Sequence, residues 1–235
     1  MMLRSGSYLR KQRIRDVRGL LEGATATRRP VTVPRALRYA GETFEGYRFV
    51  GPVLGDRSLD AGWAPPPGDR PVLLVSLGSA CNDRPDPYRA IVSTAGDRAW
   101  HVVLSIGDGD PAGLGPLPRT SRCIRRSRSP PCSRHARVLV THAGMGGTTE
   151  GLAARVPLVA LPQTAEQRAN ADRIAGLGLG RVLDPATVTA EQLWAAVEAV
   201  ADDPEVSVRL GWMAGEIAAA GGAHAAADGI EAALR

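Results

Sequence analysis

From about Arg70 onward the chain alternates between short continuous runs of apolar residues and longer stretches whose apolar positions recur every three to four residues. The continuous runs fall at 71–77, 100–106, 138–141 and 157–161, and the helical stretches at 87–95, 147–154 and 165–177. Runs such as VLLVSL and PLVALP carry no polar alternation, so both faces of each strand are expected to be covered, as in a parallel sheet beneath helices. Strand and helix in repeated alternation predict the α/β class: a Rossmann-like parallel sheet with helices on both faces. Helical spacing returns at 190–201 and 205–219, Gly221 and Gly222 close the second stretch, and a last helix is expected at about 223–234.

Upstream the pattern is weaker. Residues 31–53 read as a short extended piece, a turn and then YRFVGP, and 55–69, with Pro65, Pro66 and Pro67, reads as a linker. Residues 1–30 are basic with little helical periodicity and are expected to be partly disordered.

Composition narrows the class. With 44% apolar and 23% charged residues over 235 positions, a collagen-like, wholly disordered or membrane-spanning chain is excluded, and a soluble protein is expected. The net charge of +5 sits in two windows: Lys11 and seven arginines within the first thirty residues, and six arginines with no acid between 119 and 134. Neither window interleaves aromatics for base stacking, so nucleic acid is not the expected partner. The three cysteines, Cys81, Cys123 and Cys132, form no CxxC, and with His135 they match no common zinc spacing; no metal site is expected. Met1 to Arg18 lacks an apolar core of signal-peptide length, so the expected location is the cytoplasm.

Ligands of open parallel sheets bind beyond the carboxyl ends of the strands, and three loops there stand out: Leu77-Gly78-Ser79, His142 to Glu150, and Leu161-Pro162-Gln163 running on to Glu166 and Gln167. The second passes through Gly144, Gly146 and Gly147 before opening a helix, which aims unpaired amides and the positive end of a helix dipole at one point. That combination suits a diphosphate, with Thr148 as a hydroxyl donor and His142 as a further donor at the strand end. A P-loop is excluded because the sole lysine is Lys11, and the dinucleotide fingerprint fails because Thr149 stands where its third glycine belongs. Glu150 is placed to accept from a ribose diol, and Glu166 with Gln167 to bind sugar hydroxyls; each also reads as an ordinary helix-start residue.

The stretch VTHAGMGGTTEGLAARVPLVALPQTAEQRANADRIAGLGLG resembles the donor-binding signature of the UDP-glycosyltransferase superfamily, and within it the bacterial macrolide glycosyltransferases. FVGPVLGDR, PVLLVSLGSA and WHVVLSIG resemble the same family upstream. The resemblance implies one half of a GT-B fold, with 1–62 a remnant of the acceptor domain and linker and 63–235 the nucleotide-sugar domain. It implies inverting, metal-independent transfer of a hexose, from a UDP-glucose-like donor, to a hydroxyl of a macrolide or other small natural product. No cofactor is implied beyond that co-substrate. On this pattern His142 and the amides of Gly146, Gly147 and Thr148 hold the diphosphate, with Ser79 approaching from the first loop. Glu150 takes the ribose, and Glu166 and Gln167 the hexose.

Three departures qualify the resemblance. The family's catalytic histidine belongs to the acceptor domain, and none of His101, His135, His142 or His224 stands in a matching motif, so no catalytic base is assigned and an isolated chain is expected to turn over poorly or not at all. The window 118–136 lacks the Trp-x-Pro-Gln-like motif under the nucleotide base and has the composition of GC-rich coding DNA read in a wrong frame; a neighbouring frame yielding no Pro-Gln-containing strand and helix would refute that reading. Gly147 stands where the family usually places a serine. The competing readings are a non-catalytic fragment binding protein or nucleic acid, and a small NAD-dependent enzyme, which the failed glycine fingerprint weakens.

Overall fold

A computed structural model describes residues 29–54, 64–78, 86–107, 109–124 and 134–234. Strands β1 (Arg29–Val31) and β2 (Tyr47–Phe49) pair in parallel as a small separate sheet. The main sheet is built from β3 (Val72–Ser76), β4 (His101–Ser105), β5 (Ser121–Ile124), β6 (Val138–Thr141), β7 (Leu158–Ala160) and β8 (Gly180–Val182). Their order is β5-β4-β3-β6-β7-β8, and every pairing is parallel. The helices are α1 (Asp86–Ala95), α2 (Met145–Ala153), α3 (Ala165–Gly176), α4 (Ala190–Ala201), α5 (Pro204–Ala219) and α6 (Gly222–Leu234).

Side chains alternate across each strand, so consecutive apolar residues feed two cores. Leu73, Val75, Val102, Leu104 and Val140 point to one face, where Tyr88 and Ile91 of α1 and Leu193, Trp194 and Val197 of α4 cover them. Leu74, Val103, Leu139, Leu158 and Ala160 point to the other, beneath Leu152 of α2, Ile174 of α3 and Leu210 and Met213 of α5. The continuous apolar runs thus meet the expectation of a sheet covered on both sides. Leu37 joins the second core, and Arg173 of α3 donates to the Ala36 carbonyl at 2.8 Å, which ties the segment after β1 to the main sheet's helices.

Two strands escape the sequence pattern. β5 lies inside the arginine-rich window, where no strand is expected; it forms because an edge strand needs only one paired side, and Cys123 and Ile124 reach opposite cores. Within that window, residues 125–133 lie outside the described residues. β8 is a three-residue strand with a glycine and an arginine, too short and polar to register as a run. A Cβ at Gly180 would overlap the Leu158 carbonyl, so the glycine is what lets this edge strand close on β7.

Candidate functional site

The chain runs outward from β3 through β4 to β5, then returns to place β6 on the other side of β3. The crevice between β3 and β6 is therefore the topological switch point, where such sheets bind ligands. Ser76 and Thr141 are the last paired residues of the two strands, so Leu77-Gly78 and His142 leave the sheet side by side. Ser79 follows immediately and lies outside the described residues.

The His142 ring is held between two glycine backbones. A Cβ at Gly78, whose φ is +93°, would stand 2.9 Å from Cε1 of the ring, and a Cβ at Gly144 would overlap Nε2. Both glycines are required by this close approach. Burial pushes the His142 imidazole below its ordinary pKa of 6.5, opposed by the Ser76 backbone carbonyl and by the nearby Glu166 carboxylate. Its Nδ1 is buried and completes no hydrogen bond, so the Ser76 carbonyl lies near the ring without bonding geometry.

Helix α2 starts two residues earlier than its apolar pattern suggests. Gly144 is its N-cap and offers no side-chain acceptor, whereas Thr164, Thr189 and Asp203 cap α3, α4 and α5 with oxygens that accept from the first turn. Helix geometry leaves the amides of Met145, Gly146 and Gly147 without intrahelical partners. Gly146 is exposed, and no atom lies within 4 Å of where its Cβ would be. Thr148 departs from the expected role. Its amide already donates to the Gly144 carbonyl at 3.1 Å, and its side chain is fully buried, so it serves the helix and not the rim. Met145, the first residue of α2, has an amide that helix geometry leaves without an intrahelical partner. Glu150 is half-buried in the second turn of α2.

The β7 loop adjoins this point, since Leu161 donates to the Thr141 carbonyl at 2.7 Å. Glu166 is exposed at the start of α3, close enough for its charge to act on His142. Gln167 Oε1 accepts from the Gln163 amide at 2.8 Å, which spends the acceptor and leaves the side-chain NH2 to face outward chemistry. The structure thus gathers His142, Gly144, Gly146, Gly147, Glu166 and Gln167 on one rim.

Sequence reasoning passed over four residues that shape this rim. Gly78 was visible only as part of a loop. Tyr88 accepts from the Leu77 amide at 3.1 Å and donates to the Ser105 carbonyl at 2.9 Å, locking the ends of β3 and β4. Ala143 takes the left-handed φ of +62°, and its carbonyl accepts from Asn170 Nδ2 at 3.1 Å. An asparagine inside a helix, where its propensity is poor, is the one local signal that could have drawn attention to Asn170.

The rim presents backbone amides and an imidazole, groups of the kind that bind small anions, with polar side chains beside them of the kind that bind hydroxyl groups. Among the described residues no group of three His, Cys, Asp or Glu could hold a metal ion, and no helix is long and apolar enough to cross a membrane.

Known proteins resemble this chain over most of its length. The oleandomycin glycosyltransferase of Streptomyces antibioticus is 43% identical over 208 residues, which cover 87% of this chain and 48% of that protein. The demethyllactenocin mycarosyltransferase of Streptomyces fradiae is 43% identical over 86% of this chain and 44% of its own length. The chain therefore spans about half the length of these relatives. Among solved structures, a glycosyltransferase of kitacinnamycin superposes with a TM-score of 0.81 at 38% identity, covering 99% of this chain and 61% of that one. The calicheamicin glycosyltransferase superposes with a TM-score of 0.77 at 40% identity, covering 87% and 53%. The family model described as UDP-glucoronosyl and UDP-glucosyl transferase matches residues 60–212, and with these relatives it establishes that the chain belongs to the UDP-glycosyltransferase family, whose members include GT-B glycosyltransferases.

Proposed function

We propose that this chain is the donor-binding half of a glycosyltransferase that moves a hexose from a UDP-glucose-like nucleotide sugar to a hydroxyl of a macrolide or similar natural product. The observation that carries the reading is the His142 imidazole fixed between Gly78 and Gly144 beside an uncapped helix start, at the sheet's switch point. A diphosphate there would meet the amides of Gly144, Met145, Gly146 and Gly147, the positive end of α2, and a ring nitrogen. Ser79 would approach from the β3 loop, Glu150 would take the ribose, and Glu166 and the Gln167 amide the sugar.

On this reading charge accumulating on the departing diphosphate is met by donors that need no reorganisation, a contribution of several kcal/mol in such sites. No metal ion is then required to neutralise it. Direct attack by an acceptor hydroxyl inverts the anomeric centre and needs a base, which a separate acceptor domain would supply.

Calorimetric titration with UDP and UDP-glucose, with and without EDTA, tests the proposal. UDP should bind, with EDTA making no difference, and His142→Ala should weaken it about tenfold or more, the loss expected for one charge-assisted hydrogen bond. Undiminished binding in His142→Ala would overturn the site. Inversion would be read from the anomeric configuration of product formed when the chain is paired with an acceptor domain.

A further inference from the structure

Ala143 is the one residue of the β6 loop that breaks the ordinary backbone range, and it is held at both of its polar groups. Its amide donates to Thr141 Oγ1 at 3.2 Å, and its carbonyl accepts from Asn170 Nδ2 at 3.1 Å, across a sequence separation of 27 residues. Its φ of +62° is unfavourable for a residue with a Cβ, so the conformation persists only because the surroundings fix it. The methyl group is fully buried in the core beneath α3, which explains why a glycine is not used.

A trans peptide points its C=O and the following N–H in opposite directions. Asn170 stands on α3, after β7, and β6 lies between β7 and β3. Drawing the Ala143 carbonyl toward Asn170 therefore turns the Gly144 N–H away from α3, on a residue whose backbone abuts the His142 ring. The Gly144 amide has no protein acceptor among the described residues.

Resting on the nucleotide-sugar reading above, we propose that Asn170 is a positioning residue: it locks the Ala143–Gly144 peptide so that the Gly144 amide joins the diphosphate donors. It makes no contact with ligand. It also links the helix that carries Glu166 and Gln167 to the loop that carries His142, so the sugar and phosphate subsites keep a fixed spacing.

The test uses the full chain with Asn170→Ala and Asn170→Asp, read in three ways. Hydrogen–deuterium exchange without ligand should rise about tenfold at the amides of 143–147 in both variants, and far less at the amides of the sheet strands. UDP affinity by calorimetry at pH 7.5 should fall about tenfold, the loss of one well-made hydrogen bond. Lowering the pH to 4, close to the ordinary aspartate pKa of about 3.9, should restore part of the affinity relative to the parent in Asn170→Asp alone, because a protonated carboxyl can again donate to the Ala143 carbonyl. A purely structural role would not produce that return. Unchanged loop exchange, UDP affinity within twofold of the parent, or identical pH profiles for the two variants would overturn the assignment. If the parent itself fails to bind UDP, the nucleotide reading falls, and the exchange measurement alone still decides whether Asn170 holds the loop.

Discussion

The Gly144 Cα lies so close to the His142 ring that a single added methyl group would overlap Nε2. The φ of Gly144 is −65°, an ordinary value for any residue, so the requirement for glycine is steric alone. Gly144→Ala must push the imidazole or the start of α2 aside. Forced overpacking of this kind costs about 1–3 kcal/mol. The expected outcome is a lowered melting temperature and UDP affinity reduced more than tenfold; a variant that binds UDP as well as the parent would show that the ring is free to move.

Gly147 is the contrasting position. The nearest atom to an added Cβ is Thr141 Oγ1 at 4.0 Å, and the backbone is helical, so a side chain fits without displacement. Gly147→Ala should stabilise the fold by about 0.5 kcal/mol, since alanine loses less entropy than glycine in a helix. Gly147→Ser should also fold, and its hydroxyl at the same rim should raise UDP affinity about threefold. Thermal melts and calorimetry on the pair separate the two effects, and weaker UDP binding in the serine variant would contradict the placement of the phosphates.

The lowered pKa of His142 sets the sign of a pH effect on stability. Burial is the main cause, so the folded chain takes up this proton at lower pH than the unfolded chain, whose imidazole titrates near 6.5. Well above pH 6.5 the ring is neutral in both states and no difference arises. As pH falls through that value the unfolded chain is protonated first, so stability is lost until the folded ring titrates too. His142→Asn should abolish this part of the decline between pH 7.5 and 5, measured by denaturant unfolding. Bound UDP works in the opposite direction, because its phosphates favour the imidazolium, so UDP affinity should rise as pH falls in the parent and less in the asparagine variant. Parallel profiles in the two proteins would show that His142 does not face the ligand.

The apolar runs at β3, β4, β6 and β7 were legible because each strand is buried on both faces and so carries an unbroken signature. β5 and β8 were not, since an edge strand can be held by one row of backbone hydrogen bonds with little demand on its side chains. At the site, the glycines and His142 were legible as a strand-to-helix turn, but the sequence could not say which residue turns left-handed. That residue is Ala143, and the glycines serve close approach and open access instead. Thr148 turned inward because the helix begins at Met145, which moves the fourth residue of the helix onto the core side. Asn170 acts through a contact with a distant loop, and local pattern carries no record of such a partner.

Tyr88 offers a last test, of the floor beneath the β3 loop. Its ring is buried against the α1 face of the sheet, and its hydroxyl joins the Leu77 amide to the Ser105 carbonyl. Ser76 and Ser105 are the last paired residues of β3 and β4, so this one oxygen continues the ladder past its end and fixes the direction in which Gly78 departs. Burial raises the phenol's pKa above its ordinary 10.0, with the Leu77 amide opposing, so the group stays neutral and can donate and accept together. Tyr88→Phe keeps the packing and leaves two buried backbone groups without partners, at a cost of about 1–3 kcal/mol each. For a chain of this size the melting temperature should fall by about 4–24 °C. Gly78 would lose its fixed exit from the strand, so UDP binding should weaken as well, and the His142 ring should show broadened resonances. A fall of less than about 2 °C with UDP affinity unchanged would mean that the β3 loop is set by other contacts.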